Sequence, residues 1–150
     1  MVPRKPDSVW AEILAAQRIA LDALDREQVE PRPGVYVVFR DGNAVYIGKS
    51  ASLRATLAQL FAVQGPSAVS PFRRSVAEFL GIASAKSIAA MRYRPTPEDH
   101  AKVNRWIKDC SVVWRSCATE SEAVALETRL LNARRASSGE GKGEGALTGG

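Results

Sequence analysis

Apolar positions along this chain change period several times, and each change marks a new element. From Asp7 to about Arg26, Val9, Ile13, Leu14, Ile19, Leu21 and Leu24 fall roughly on one side of a 3.6-residue wheel. That spacing predicts a helix capped by Asp7 or Ser8 and ended by Pro31 and Pro33. Two β-branched and aromatic runs follow, Val35–Phe39 and Ala44–Ile47, around Arg40-Asp41-Gly42-Asn43, and they predict a β-hairpin. Ser50 or Ser52 then caps a helix with an apolar stripe of Leu53, Leu57, Leu60 and Phe61. Residues 65–70 read as a loop, and Ser70-Pro71 opens a helix from Phe72 to Leu80 that Gly81 stops. Ala83 to Met91 is read as helical, and Thr96-Pro97-Glu98-Asp99 opens a further helix reaching about Asp109. Val112, Val113, Trp114 and Cys117 predict a third strand. Thr119-Glu120-Ser121-Glu122 is a capping box opening a last helix to about Arg135. Residues 137–150, SSGEGKGEGALTGG, read as a flexible tail. The order predicts an α/β domain, a small three-stranded sheet (the hairpin plus one late strand) flanked by helices.

Composition narrows the function without changing this picture. At 150 residues, with 45% hydrophobic and 25% charged positions, the chain is one ordinary globular domain. Its 21 Lys+Arg against 16 Asp+Glu give a net charge of +5, which favours anionic partners, nucleic acid first. No apolar run is long enough to span a membrane, and MVPRKPDSVW does not read as a secretory signal. Cys110 and Cys117 are too few and wrongly spaced for a disulfide framework or a zinc ribbon, so a reducing, cytoplasmic setting is expected. His100 is the single histidine and reads as a solvated residue at a helix start. With only that imidazole, Ser-His-Asp and Cys-His catalysis are set aside.

Three features bear on chemistry. Gly42 to Ser50 reads GNAVYIGKS, which places five residues where a phosphate-cradling loop needs four and fills them with strand formers, so no P-loop is expected and no small-molecule cofactor is implied. Tyr36 and Tyr46 sit in the two arms of the hairpin. A three-residue loop, Asp41-Gly42-Asn43, puts them on one face of the sheet, whereas a two-residue Asp41-Gly42 loop puts them on opposite faces. In the last helix Ala123, Leu126, Leu130 and Leu131 trace an apolar face with Glu127 in its middle. A carboxylate there must snorkel, pair with a cation or bind a metal. Beyond these, Arg92, Arg94, Lys102, Arg105, Lys108, Arg115, Arg129, Arg134 and Arg135 are spread over several elements with Trp106 and Trp114 among them, a pattern suited either to tracking phosphates or simply to solubility.

Pro33-Gly34-Val35-Tyr36, then Tyr46-Ile47-Gly48-Lys49 ten residues on, then Ser52-Leu53-Arg54, resembles the GIY-YIG endonuclease superfamily. The segment from Thr119 to Glu127 is similar to the metal-binding helix of the same family, and the two together span about residues 33 to 131. The resemblance sets expected bounds: 1–32 as an N-terminal helical extension, 33–136 as the nuclease domain and 137–150 as the tail.

What the resemblance implies is a three-stranded antiparallel sheet and hydrolysis of phosphodiester bonds in DNA, with RNA left open, using one divalent metal, Mg²⁺ or Mn²⁺. Glu127 would hold the metal, Tyr36 and Tyr46 would line the site and position the water, and Lys49 and Arg54 would contact phosphate. The family arginine eight residues after the motif glycine is Thr56 here, and Arg54 lies about 200° around the helix from it. Arg73 or Arg74 is the expected replacement. The family's closing proline and asparagine are also missing from Ala133 to Ser138. The alternative reading is therefore a catalytically degenerate GIY-YIG fold that binds nucleic acid or protein.

Overall fold

The hairpin sets the frame. In the computed structural model, which describes residues 8–60, 71–84, 86–87 and 94–137, β2 (Gly34–Arg40) and β3 (Asn43–Ser50) pair antiparallel. Asp41 and Gly42 both take positive φ, 53° and 83°, so the turn has two residues and Arg40 pairs with Asn43. One residue further into the ladder, Phe39 pairs with Ala44 but Val38 pairs with Tyr46. Val45 is thus an extra residue, and this bulge moves the register by one. Tyr36 then faces Gly48, and Tyr36 and Tyr46 share a face although the turn is the shorter one.

The sheet has four strands, not three, in the order β1-β4-β2-β3. β4 (Cys110–Ser116) pairs antiparallel with β2, and β1 (Ile19–Ala20) pairs with β4. The extra strand corrects the reading of Asp7 to Arg26 as one helix. Only α1 (Ser8–Ala15) is α-helical there. Trp10 and Ile13 pack on one face of the sheet, while Leu21 packs on the other. A single straight helix cannot serve both faces, so the chain leaves the helix, crosses at β1 and continues as two 3₁₀ turns, the second closed by an Asp25–Gln28 capping box. The helical periodicity was present in the sequence but belonged to two cores.

Helices cover both faces. On one side lie α2 (Leu53–Ala58), α3 (Pro71–Phe79) and α4 (Pro97–Lys108), burying Leu53, Leu57, Phe72, Val76, Val103 and Ile107 against Tyr36, Val38, Tyr46 and Val112. On the other, α1 and α5 (Glu120–Ser137) bury Trp10, Ile13, Ala123 and Leu130 against Val35, Val37, Phe39, Ile47 and Val113. Caps follow the expected chemistry. Thr96 and Asp99 form a reciprocal capping box, and the helix ending in Phe79 closes with Gly81 at φ 77° while the Ile82 N–H donates to the Ala77 carbonyl. At α5 the Glu122 N–H donates to Thr119 Oγ1, but the Glu122 carboxylate accepts from Ala118 N, one residue earlier than a standard box. The loop at residues 65–70, most of the segment from Ala83 to Met91 and the tail beyond Ser137 lie outside the described residues.

His100 is not a solvated residue. It is buried at 9% exposure, and its Nδ1 lies 3.3 Å from Arg73 Nη2. Burial and the adjacent guanidinium both lower its pKa, with Asp99 opposing them. In the unfolded chain the imidazole titrates near its usual value of about 6.5. Below that pH the unfolded chain takes up a proton that the folded chain resists, so stability present above about 6.5 is lost as pH falls. The thermal midpoint should fall between about pH 7 and pH 5, and His100→Gln, which keeps an acceptor for Arg73 but cannot titrate, should flatten that part of the curve.

Candidate active site

Gly34 and Gly48 explain the two motif glycines. A Cβ on Gly34 would collide with the Arg115 carbonyl and lie 2.6 Å from Leu53 Cδ1, so β2 can approach β4 and α2 only without a side chain. At Gly48 a Cβ would lie 2.6 Å from both Cζ and the hydroxyl of Tyr36, because the Tyr36 ring lies over that glycine. The ring of Tyr46 is 6.0 Å from that of Tyr36 at 33°, and Phe72 from α3 meets Tyr46 edge-on at 5.0 Å. The result is an aromatic wall built from the hairpin and the first turn of α3. Phe72 belongs to this wall and was not singled out from the sequence, where its only signal was an apolar place one turn before Val76.

Glu127 supplies the acid. It is 7% exposed on α5, which packs on β3 and β2, and its Oε1 lies 3.6 Å from Lys49 Nζ. β3 is an edge of the sheet, and Lys49 follows Ile47 on the α5 side while Gly48 lies under Tyr36. The carboxylate is close enough to act on both tyrosines. Burial is the main reason that Tyr36 is pushed well above the ordinary tyrosine range, followed by the charges of Tyr46 and Glu127. Tyr46 is pushed up to about 12, again by burial first and then by Glu127, with Arg74 pulling it back. The neighbouring hydroxyl of each tyrosine also acts on the other, raising Tyr36 further and partly offsetting the rise at Tyr46. Both phenols are therefore protonated at neutral pH and suited to donating hydrogen bonds, not to removing a proton.

The arginines separate into structural and site groups. Arg73 is 2% exposed and donates from Nη1 to the Leu60 carbonyl at 2.7 Å and to Asn104 Oδ1 at 2.6 Å. It ties α3 to the end of α2 and to α4, away from Glu127. Its burial was readable, since Arg73, Val76 and Ala77 share a helix face. Arg54 donates from Nε to the Val29 carbonyl at 2.8 Å and so holds the chain entering β2. Thr56, at the place of the family arginine, shares a hydrogen bond with the Ser50 hydroxyl. Arg74, one residue from Arg73 and about 100° around the helix, is the arginine that acts on Tyr46. The structure thus pairs Tyr36 with Tyr46 and Lys49 with Glu127, puts Tyr46 within electrostatic reach of Glu127 and Arg74, and leaves Arg54 and Arg73 in the framework.

The donor set fits a hard divalent cation. Among the described residues there is no cluster of three or more His, Cys, Asp or Glu side chains to cage a metal. One buried carboxylate with an aromatic wall suits an ion that keeps most of its waters and takes the rest of its ligands from a phosphate. Lys49, whose side chain is 46% exposed, can swing off Glu127 to make room.

This fold and site define a nuclease-type domain of the GIY-YIG class. The chain belongs to the GIY-YIG catalytic domain family, which matches residues 24–136. No curated protein and no solved structure matches it significantly.

Gly48→Ala tests the aromatic wall. The new methyl must displace a buried tyrosine ring packed beside another, and overpacking of this kind costs about 1–3 kcal/mol. Chemical denaturation should show that loss, with the slope unchanged.

Proposed function

We propose that this chain is a metal-dependent endonuclease that hydrolyses phosphodiester bonds in DNA. The observation that carries the reading is the buried Glu127 carboxylate, paired with Lys49 and within electrostatic reach of two protonated tyrosines, one of which also feels Arg74. Glu127 is the group that would hold Mg²⁺ or Mn²⁺, and the ion would supply a positive charge opposite the scissile phosphate. Tyr46 donates a hydrogen bond to the attacking water or a phosphate oxygen, while Tyr36, whose ring packs beside that of Tyr46, holds that phenol in orientation. Lys49 moves from Glu127 to the phosphate when the carboxylate takes up its cation. Arg74 stands in for the arginine absent at Thr56, facing the charge that builds on the phosphate as the bond breaks.

Cleavage of supercoiled plasmid and of a branched duplex in Mg²⁺, Mn²⁺ or EDTA tests this. Nicking should require metal and vanish in Glu127→Gln. Arg74→Ala should slow it on the order of 10²–10³-fold, as expected for the loss of one positioned charge donor. Cutting that survives Glu127→Gln would overturn the assignment.

The hydrogen bond between Thr56 and Ser50 favours a second reading, a degenerate member that binds nucleic acid without cutting it. It predicts no metal-dependent nicking, with duplex affinity that still falls steeply and log-linearly with salt.

A further inference from the structure

A second feature on the tyrosine side of the sheet is unused by the site just described. An open cleft of about 570 Å³ lies between the end of α3 and α4, lined by Arg40, Leu80, Gly81, Ile82, Asp99, Lys102, Arg105 and Trp106. Its size is in the range of small-ligand sites, and its walls divide by chemistry. Leu80, Ile82 and Trp106 are apolar. Arg40 lies over Trp106, its guanidinium carbon 4.9 Å from the ring centroid, and pairs with Asp41 at 3.3 Å and Asp109 at 3.7 Å. Arg105 and Lys102 are exposed on α4, and Lys102 has only a loose pair with Glu98 at 3.5 Å. Asp99 uses Oδ2 to accept from the Thr96 N–H, leaving its other oxygen as an acceptor.

A planar cation backed by an indole, an apolar wall, exposed cations at the rim and one acceptor together match an unpaired nucleotide. The base stacks on the Arg40 plane, its amino group meets Asp99, and its phosphate meets Lys102 and Arg105. A duplex backbone alone would use the cations but leave the apolar wall empty.

The position fits the same strand. Arg40 lies four residues along β2 from Tyr36, about 13 Å at the usual strand rise. The nine residues of α3 also span about 13 Å, with Phe72 on Tyr46 at one end and Leu80 in the cleft at the other. That separation is about four nucleotide rises along one strand of a duplex.

We propose that this cleft binds an unpaired nucleotide of the nucleic acid held at Glu127, so that the preferred substrate carries a single-stranded end or branch. The inference rests on the nucleic-acid reading of the Glu127 site. It is tested by fluorescence anisotropy of the full chain in EDTA, with a blunt duplex and the same duplex carrying a short deoxyadenosine tail at either end.

The wild-type chain should bind one of the tailed duplexes about tenfold more tightly than the blunt one, the gain expected of one well-stacked base. Lys102→Ala/Arg105→Ala and, separately, Leu80→Trp, which fills the cleft without removing charge, should each bring that ratio close to one. A wild-type ratio near one for both tails, or a ratio that neither variant lowers, overturns the proposal. The readout is a binding ratio taken without metal, so its failure is separate from any failure of cleavage at Glu127. A chain that binds neither duplex overturns both readings.

Discussion

The register of the β2–β3 hairpin is the constraint on which the rest of the site depends. Its two-residue turn, left alone, would put Tyr36 and Tyr46 on opposite sides of the sheet. The bulge at Val45 reverses that, bringing both rings to the face covered by α2, α3 and α4 and setting Tyr36 over Gly48. Bulges commonly re-aim a side chain beside a functional site, and this one aims two. Once Tyr36 occupies the space above residue 48, any side chain there must displace it, so the motif glycine follows from the register and not from local flexibility.

Electrostatics then decides what the aromatic pair can do. A buried carboxylate near two buried phenols disfavours a second negative charge, so Tyr36 and Tyr46 stay protonated while Glu127 draws cations. Lys49 is the cation in place, and Arg74 lies on the far side of Tyr46 in charge terms, lowering what Glu127 raises. On the proposed reading, a phosphate entering this space would meet hydrogen-bond donors and positive charge, with Glu127 the group that would take a metal. The arrangement is coherent for phosphodiester chemistry and poor for a mechanism in which tyrosine removes a proton.

The hairpin, the late strand, the last helix and Glu127 on its apolar face were legible because each is a local signal: alternation, a turn dipeptide, a capping box, a charge out of place. The β-bulge was not, since a two-residue turn with a bulge and a three-residue loop place the tyrosines alike. The first helix was misjudged because Trp10, Ile13 and Leu21 keep helical spacing while serving opposite faces of a sheet that the sequence does not display. β1 was missed for the same reason, as two residues make no periodic signal. His100 sat behind Pro97, Glu98 and Asp99, whose polarity described the cap but not the helix face it occupies. Arg73 and Arg74 were equivalent candidates by composition. What separates them is the helix face: Arg73 shares one with Val76 and Ala77 and is enclosed, while Arg74 is the one whose charge acts on Tyr46.

Arg73 shows why a residue outside the site still governs it. Its guanidinium bonds the Leu60 carbonyl and Asn104 and lies against His100, so it fixes α3 against both the end of α2 and α4. The placement of α3 in turn sets Phe72 on Tyr46, brings Arg74 within electrostatic reach of Tyr46, and puts Leu80 and Gly81 into the wall of the cleft. An apolar side chain of similar size could fill the space but not bridge three elements at once. A buried, fully charged group is expensive unless its donors are met. That cost gives it directional value here, because only one placement of α3 satisfies it. The His100 imidazole beside Arg73 resists protonation through burial and that guanidinium, so acid bears on the junction that holds α3, more than 50 residues along the chain from either tyrosine.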